Sequence, residues 1–351
     1  MLLNFLLYAL YSSSLFLNSS FADKWIKSRI EEEFSQLSEH SISKQDLLDI
    51  MALSKDGHLQ LLLINATKNE ISFIVDNEKL WQDTRTNITK TFLTKLFEKK
   101  LLPCTSFIIG MGDASPIQTK VPIFVFAKDK NDKNNILFPD FEVLQDNDGL
   151  INSCANYAKQ FPWENKKNKI FWRGRTTNGL YTPENFRTIP RVKLIYLSTK
   201  NPHLIDAAFV PPLVQNAEQV IEFLAKEARP LMPTVAIPDH FLYKYLIDID
   251  GNSCTYSRCR WIMLSNSVLL KLQSNNIQWY YHMLKPYENY VPINCDFSNI
   301  MDVLDWLTQN DNEAREISKR ANMLAKLLFT KKNIQYYTVK LLQEYQKLIK
   351  Q

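Results

Sequence analysis

The apolar and polar positions in the first part of the chain predict helices on either side of a hairpin. Residues 24–55 have helical periodicity, and Ser43 is a suitable N-cap within them. Two β-rich runs, LQLLLIN and EISFIVD, flank a short Thr-Lys-Asn turn and predict a hairpin. The pattern then predicts a helix and two short buried strands, at 87–100, 106–111 and 123–127. Residues 129–165 are polar and lack clear periodicity, so we place a domain boundary there.

Beyond that boundary the pattern becomes strand, helix, strand. The predicted strands are 169–172, 243–248 and 268–271. The predicted helices are 191–199, 220–228, 259–264, one capped by Asp296 and Ser298 that runs to Gln309, and two amphipathic helices within 312–351. Short buried strands that alternate with helices are typical of a parallel sheet covered on both faces. The sequence therefore predicts an α/β protein.

Composition places the chain among soluble globular proteins. It has 351 residues, of which 45% are hydrophobic and 23% charged, enough for two domains with buried cores or for one unusually large domain. The net charge of +5 fits an anionic ligand or a membrane surface, and equally an ordinary solvated basic surface. No block of Lys and Arg alternates with aromatic residues, which argues against nucleic-acid binding.

The first 22 residues form an apolar stretch with no Lys or Arg before Lys24. Ser20 and Ala22 are small residues at the −3 and −1 positions of a possible cleavage before Asp23, which favours a secretory signal peptide. An uncleaved anchor and an ordinary first helix remain alternatives. A signal peptide predicts the lumen of the secretory pathway, and an anchor predicts membrane association through the N-terminus.

Cysteine and histidine spacing argues against a metal module. The five cysteines match no zinc-binding pattern, and we interpret them as buried small apolar residues, although one or two disulfide bridges remain possible. The five histidines are scattered and have no partner serine of the kind a hydrolase triad needs. Aromatic residues from Trp279 to Tyr290 suit core packing better than sugar stacking.

Three segments carry candidate chemistry. Asp113 directly follows a predicted strand, where a carboxylate can act as a general base or simply form an Asx-turn or helix cap. Four arginines lie within 19 residues, from Arg173 to Arg191, and can bind an anion or pair with surface carboxylates.

The third segment is Asp248-Ile249-Asp250 and the polar loop that follows it. A D-x-D sequence can hold a divalent metal, but here it runs into Gly251, so a turn explains Asp250 as well. The polar loop ends at Arg258 and suits a diphosphate. Because an arginine can neutralise a leaving nucleotide, we favour a site without metal.

Five blocks of sequence carry a family resemblance. They are FWRGRTT, RVKLIYLSTKNPHLIDAAFV, KYLIDIDG, SRCRWIMLSNSVLLK and LKPYENYVPINCDFSNI. In this order and spacing the chain resembles the CAP10-type glycosyltransferases, which include the Rumi-type protein O-glucosyltransferases and lipopolysaccharide-modifying relatives. The resemblance covers roughly residues 100 to 330.

The resemblance implies a GT-B fold with two facing Rossmann-like domains, the C-terminal helices crossing back to the first. The implied division is an N-terminal segment (1–22), an acceptor-side domain (23–150), a nucleotide-sugar domain (151–310) and C-terminal helices (311–351). It implies Asp113 as catalytic base. The implied donor-binding positions are Arg173, Gly174, Arg175, Thr176, Arg191, Leu204, Asp206, Ser253, Thr255, Ser257 and Arg258.

The implied activity is inverting transfer of glucose or xylose from a UDP-sugar to an acceptor hydroxyl, with no metal or other cofactor. The chain lacks the full cysteine set of the animal protein O-glucosyltransferases and ends Leu-Ile-Lys-Gln, which favours a microbial glycan or lipopolysaccharide acceptor over a protein one. The alternative is a catalytically inactive glycan-binding protein on the same fold.

Overall fold

The computed structural model describes residues 19–35, 37, 41–54, 58–113, 119–145, 147–215 and 217–350. Its helices are α1 (Ser19–Ser35), α2 (Lys44–Leu53), α3 (Thr84–Glu98), α4 (Asn147–Ala158), α5 (Pro190–Lys200), α6 (Glu218–Glu227), α7 (Ile237–His240), α8 (Tyr256–Leu264), α9 (Ile300–Gln309), α10 (Asp311–Leu328) and α11 (Lys331–Gln346). Its strands are β1 (Leu61–Ala66), β2 (Ile71–Val75), β3 (Ser106–Gly110), β4 (Phe124–Val125), β5 (Lys128–Asp129), β6 (Ile136–Leu137), β7 (Lys167–Gly174), β8 (Ile205–Phe209), β9 (Tyr243–Asp248), β10 (Val268–Leu272), β11 (Asn276–Ile277) and β12 (Val291–Ile293).

The first unit comprises residues up to Phe126 together with 132–145 and 327–351. Its sheet has the order β2-β1-β3-β4-β6, in which the predicted hairpin supplies β1 and β2. β1 is antiparallel to both neighbours, whereas β3, β4 and β6 run parallel. The sheet is therefore mixed. The carboxyl ends of its three parallel strands, β3, β4 and β6, lie at the same edge.

The N-terminal and C-terminal helices of the first unit pack together. Trp25 of α1 stacks on Tyr337 of α11 with ring centroids 5.9 Å apart. The Tyr345 hydroxyl donates to the Pro122 carbonyl at 3.2 Å, and the Tyr345 ring contacts Phe124 of β4. This contact confirms the predicted return of the C-terminus to the first unit, and it is α11 that makes it, because residues up to Lys326 belong to the second unit.

The second unit comprises residues 127–131 and 146–326. Its sheet is wholly parallel, with the order β12-β10-β9-β7-β8. One face, which includes Ile170, Trp172 and Ile247, packs on α5, α6, α9 and α10. The other face is covered by α4, α7 and α8. This confirms the predicted α/β class, and it places the ends of β7, β9 and β10 at one edge, where ligands of open α/β sheets bind.

Local predictions succeeded where the signal was itself local. Ser43 caps α2 in a capping box, since its hydroxyl accepts from the Asp46 amide at 3.1 Å and Asp46 accepts from the Ser43 amide at 2.9 Å. The predicted cap of α9 was wrong: Asn299 is the N-cap, and Asp296 accepts from the Ser298 amide in the preceding turn. Helix α4 was missed.

The predicted signal peptide lies mostly outside the described residues, of which the first is Ser19 in α1. Within the described ranges, no helix has the length and apolarity needed to cross a membrane.

None of the five cysteines is bridged, and the predicted burial holds for Cys154, Cys254 and Cys259 but not for the exposed Cys104 and Cys295.

Candidate active site

The end of β7 explains the glycine of the Arg-Gly-Arg sequence. The indole of Trp172 is fully buried and lies against the backbone of Gly174. A Cβ at Gly174 would be 2.7 Å from Trp172 Cη2 and closer still to Cζ2. Glycine is required here by the indole beneath it, and the chain can then turn into the loop that begins at Arg175.

Arg191 joins the loop after β7 to the loop after β9. Its Nη1 donates to the Arg175 carbonyl at 2.8 Å, its Nε to the Asp250 carbonyl at 2.9 Å and its Nη2 to the Ile249 carbonyl at 3.1 Å. Burial, with a smaller contribution from the positive Arg258, lowers the pKa of Arg191 to about 10, so it stays charged at neutral pH. The guanidinium therefore lies beneath the two loops and ties them together.

Side-chain contacts nearer the surface also join the loops after β7 and β9, and they connect both to the loop after β8. The side-chain oxygen of Asn252 accepts from the Asn178 amide at 3.2 Å and from the Gln215 amide group. The hydroxyl of Thr176 is buried and exchanges two hydrogen bonds of 2.8 Å with the backbone of Val214. The loops that follow β7, β8 and β9 are thus connected, and Asn252 was not singled out from the sequence.

The first turn of α8 faces the same edge. The hydroxyl of Thr255, its N-cap residue, donates to Asp248 and makes no capping bond to the helix amides. Arg258 lies in this turn, and its Nη2 donates to the Arg173 carbonyl at 2.6 Å. Ser253 is buried and Ser257 partly exposed. Uncapped helix amides together with an arginine form a surface that suits an anion.

The carboxylates of the D-x-D sequence have partners within the protein. Asp248 accepts from Lys271 at 3.0 Å as well as from Thr255, and Asp250 accepts from Asn276 at 2.9 Å. Burial alone would lower the pKa of Lys271, but the two aspartates raise it above its ordinary value. Burial raises the pKa of Asp250. In the described part of the chain, no group of three or more His, Cys, Asp or Glu side chains could hold a metal ion.

Arg173 and Arg175 occupy different surroundings. Arg173 is buried over the Phe171 ring and pairs with Asp206 at 2.9 Å. Arg229 also pairs with Asp206, at 2.7 Å. Arg175 is exposed, and its guanidinium makes no hydrogen bond or ion pair with the residues that the structure describes. Of the two arginines in the Arg-Gly-Arg sequence, Arg175 is therefore the one that is available to a ligand.

Leu204 is not brought together with these loops. It precedes β8, whose register pairs Ile205 with Ile170 near the start of β7 and Phe209 with Gly174 at its end. Leu204 therefore lies toward the opposite edge of the sheet from Arg175 and Arg258. Asp206 is one residue further along β8 than Ile205. Its carboxylate accepts from Arg173, whose carbonyl accepts from Arg258.

Asp113 lies in the first unit, just beyond β3. Its Oδ1 accepts from Arg85 Nη2 at 2.6 Å, and about a third of its side chain, 32%, is exposed. Arg85 is in the first turn of α3 and was not identified from the sequence, where nothing distinguishes it from other surface arginines. The loop that follows Asp113 lies outside the described residues.

The chain is similar in sequence to known proteins. The sequence model described as glycosyl transferase family 90 matches residues 96–351. Human protein O-glucosyltransferase 1 is 25% identical over 338 residues, which cover 91% of this chain and 79% of that protein. Human protein O-glucosyltransferase 3 is 26% identical over 266 residues, which cover 72% of this chain and 49% of that protein. The chain thus spans about half the length of the latter relative.

Among solved structures, the crystal structure of Anabaena HepE in complex with UDP-glucose is 10% identical, with a TM-score of 0.36 over 56% of this chain and 53% of that one. The family match extends over most of the sequence and confirms the resemblance carried by its blocks. The chain belongs to glycosyl transferase family 90.

Proposed function

We propose that the protein is an inverting, metal-independent glycosyltransferase that moves glucose or xylose from a UDP-sugar to an acceptor hydroxyl. The observation that carries the proposal is the convergence of Arg175, Arg191 and Arg258 with the first turn of α8 at the carboxyl edge of the parallel sheet. Family membership and the named activities of the relatives support the reaction class.

The donor diphosphate binds at this edge of the second unit. Arg175 and Arg258 contact its oxygens, together with the amides of α8 and the hydroxyl of Ser257. Arg191 contributes its positive charge from beneath the loops and holds their backbone in place. Negative charge grows on UDP as it leaves, so these groups stabilise the transition state more than the ground state.

The internal partners of the D-x-D carboxylates support a reaction without metal. A divalent ion at Asp248 would have to displace the buried Lys271, whose amino group is 3.0 Å from the carboxylate. Asp250 is already hydrogen-bonded to Asn276. The arginines supply the positive charge that a metal provides in metal-dependent transferases.

Asp113 acts as the general base. The proton of the acceptor hydroxyl moves to its carboxylate while the hydroxyl oxygen forms a bond to C1 of the sugar. On the opposite face, the bond between C1 and the β-phosphate oxygen breaks, and its electron pair leaves with UDP. The configuration at C1 is therefore inverted.

The acceptor is a hydroxyl of a glycan, a lipopolysaccharide or a protein. The names of the relatives support glucose as the sugar and a protein as one acceptor class. The small cysteine set, unbridged among the described residues, supports a microbial glycan or lipopolysaccharide over a disulfide-rich protein module.

Two variants test these roles separately, with UDP affinity measured by calorimetry and transfer measured as UDP release from UDP-glucose and UDP-xylose. Asp113→Asn should reduce transfer to a small residual level and leave UDP affinity unchanged. Arg258→Ala should weaken UDP binding by about tenfold or more, the effect of losing one charge-assisted hydrogen bond. Arg315→Ala is the matched control, because that arginine forms an exposed ion pair with Glu164. A fully active Asp113→Asn protein, or unchanged UDP affinity in Arg258→Ala, would contradict the assignment.

A further inference from the structure

We propose that Arg85 is the positioning residue for the catalytic carboxylate, an inference that rests on the proposed role of Asp113 as general base. Arg85 holds both the backbone of the turn after β3 and the side chain of Asp113. It acts through Asp113 and has no chemical role of its own.

The guanidinium of Arg85 has two different attachments to one turn. Nη2 donates to Asp113 Oδ1 at 2.6 Å, and Nη1 donates to the Met111 carbonyl at 3.2 Å. The amide of Met111 in turn donates at 2.7 Å to the carbonyl of Gln60, the residue directly before β1. Met111, the residue directly after β3, is therefore held through both its amide and its carbonyl, and the Asp113 carboxylate two residues after Met111 is held by the same arginine.

Arg85 is itself held firmly. It is the second residue of α3, whose N-cap Asp83 accepts from the Thr86 amide at 3.0 Å. Its guanidinium lies over the Phe141 ring, with 4.8 Å between Cζ and the ring centroid. Because helix, cap and ring fix the arginine, the direction of the carboxylate is set before an acceptor arrives.

Such a fixed direction matters more for catalysis than for stability. A base must lie within hydrogen-bond reach of the hydroxyl proton, and a displacement of about 1 Å can cost about 100-fold in rate. A surface ion pair with this exposure contributes little to folding. A lysine could keep the charge, but it has neither the planar fork nor the flat face that the two bonds and Phe141 require.

The test compares Arg85→Ala and Arg85→Lys with the exposed control Arg315→Ala. We expect kcat to fall about 100-fold in Arg85→Ala and somewhat less in Arg85→Lys, with the KM for UDP-sugar almost unchanged. The unfolding temperature of Arg85→Ala should fall only slightly, because the carbonyl of the buried Met111 loses one donor. Added guanidinium at low millimolar concentration should restore part of the kcat of Arg85→Ala, which a purely structural role would not predict. A fall in kcat that guanidinium does not restore, or undiminished kcat in Arg85→Ala, would overturn the proposal.

A double variant separates this proposal from the one on which it rests. If Arg85 acts only through Asp113, then Arg85→Ala should cause no further loss of product in the Asp113→Asn background, measured by mass spectrometry after long incubation. Losses that multiply would show that Arg85 acts independently of the carboxylate. Full activity of Asp113→Asn alone would refute the base assignment, whereas an inactive Asp113→Asn beside a fully active Arg85→Ala would refute only the positioning role.

Discussion

Replacement of Arg191 by methionine tests how the donor loops are held. The side chain of Arg191 is 5% exposed, and its guanidinium donates to three carbonyls. Methionine fills the volume of the aliphatic stem but donates nothing, so the carbonyls of Ile249 and Asp250 lose a partner in a buried region. The Arg175 carbonyl belongs to an exposed residue and can be hydrated.

The expected loss follows from the two buried bonds. Hydrogen bonds to a charged donor contribute about 1.5–3 kcal/mol each, and removal of the buried charge recovers part of that. We therefore expect the free energy of unfolding to fall by about 3 kcal/mol, measured by urea titration with tryptophan fluorescence. UDP affinity should fall by at least about tenfold in the same variant, because both loops lose their common support.

Arg187→Met is the control, because Arg187 is an exposed arginine four residues earlier that pairs with Glu227. Its stability and UDP affinity should stay close to those of the wild type. If Arg191→Met lost UDP affinity but kept its full free energy of unfolding, Arg191 would be a direct phosphate ligand and our account of its structural role would be refuted.

Two further predictions concern the same sheet. Gly174→Ala should lower the free energy of unfolding by about 1–3 kcal/mol, since the new Cβ overlaps the Trp172 ring, and an unchanged urea midpoint would show that the indole can move. Burial lowers the pKa of His240 from 6.5 to about 4, so between these pH values the unfolded chain binds the proton more tightly than the folded chain. The free energy of unfolding should therefore decline as pH falls through this range, and it should decline less steeply in His240→Phe. Equal slopes of the free energy of unfolding against pH in the two proteins would contradict the shift.

The elements that follow from local pattern were predictable from the sequence. β9 was predicted with its observed bounds, because an apolar run ends at Asp248 and Gly251 follows. α4 was missed, because its sequence contains Gly149 and several asparagines and its helical form depends on packing against α7 and α8. The strand order of the mixed sheet in the first unit was not predictable from the sequence, because β4 and β6 have only two residues each and give no pattern.

The loops that form the candidate site were predictable from the sequence, but the hydrogen-bond partners of their side chains were not. The arginine-rich loop and the loop ending at Arg258 were found from composition and resemblance. The bonds from Arg191 to backbone carbonyls are not predictable from the sequence, because they depend on where two separate loops meet. The partner of Asp248 is indicated by the sequence, because a lysine within the apolar run of β10 needs a buried partner and the register pairs Lys271 with Asp248.

Binding of a uridine diphosphate sugar to the second unit without a metal can be measured in a thermal-shift panel of nucleotides and nucleotide sugars, with and without EDTA. We predict stabilisation by UDP and by UDP-glucose or UDP-xylose, and the same shifts in EDTA. Stabilisation that disappears in EDTA would contradict the metal-free site, and the absence of a shift with every uridine nucleotide would contradict the donor site itself.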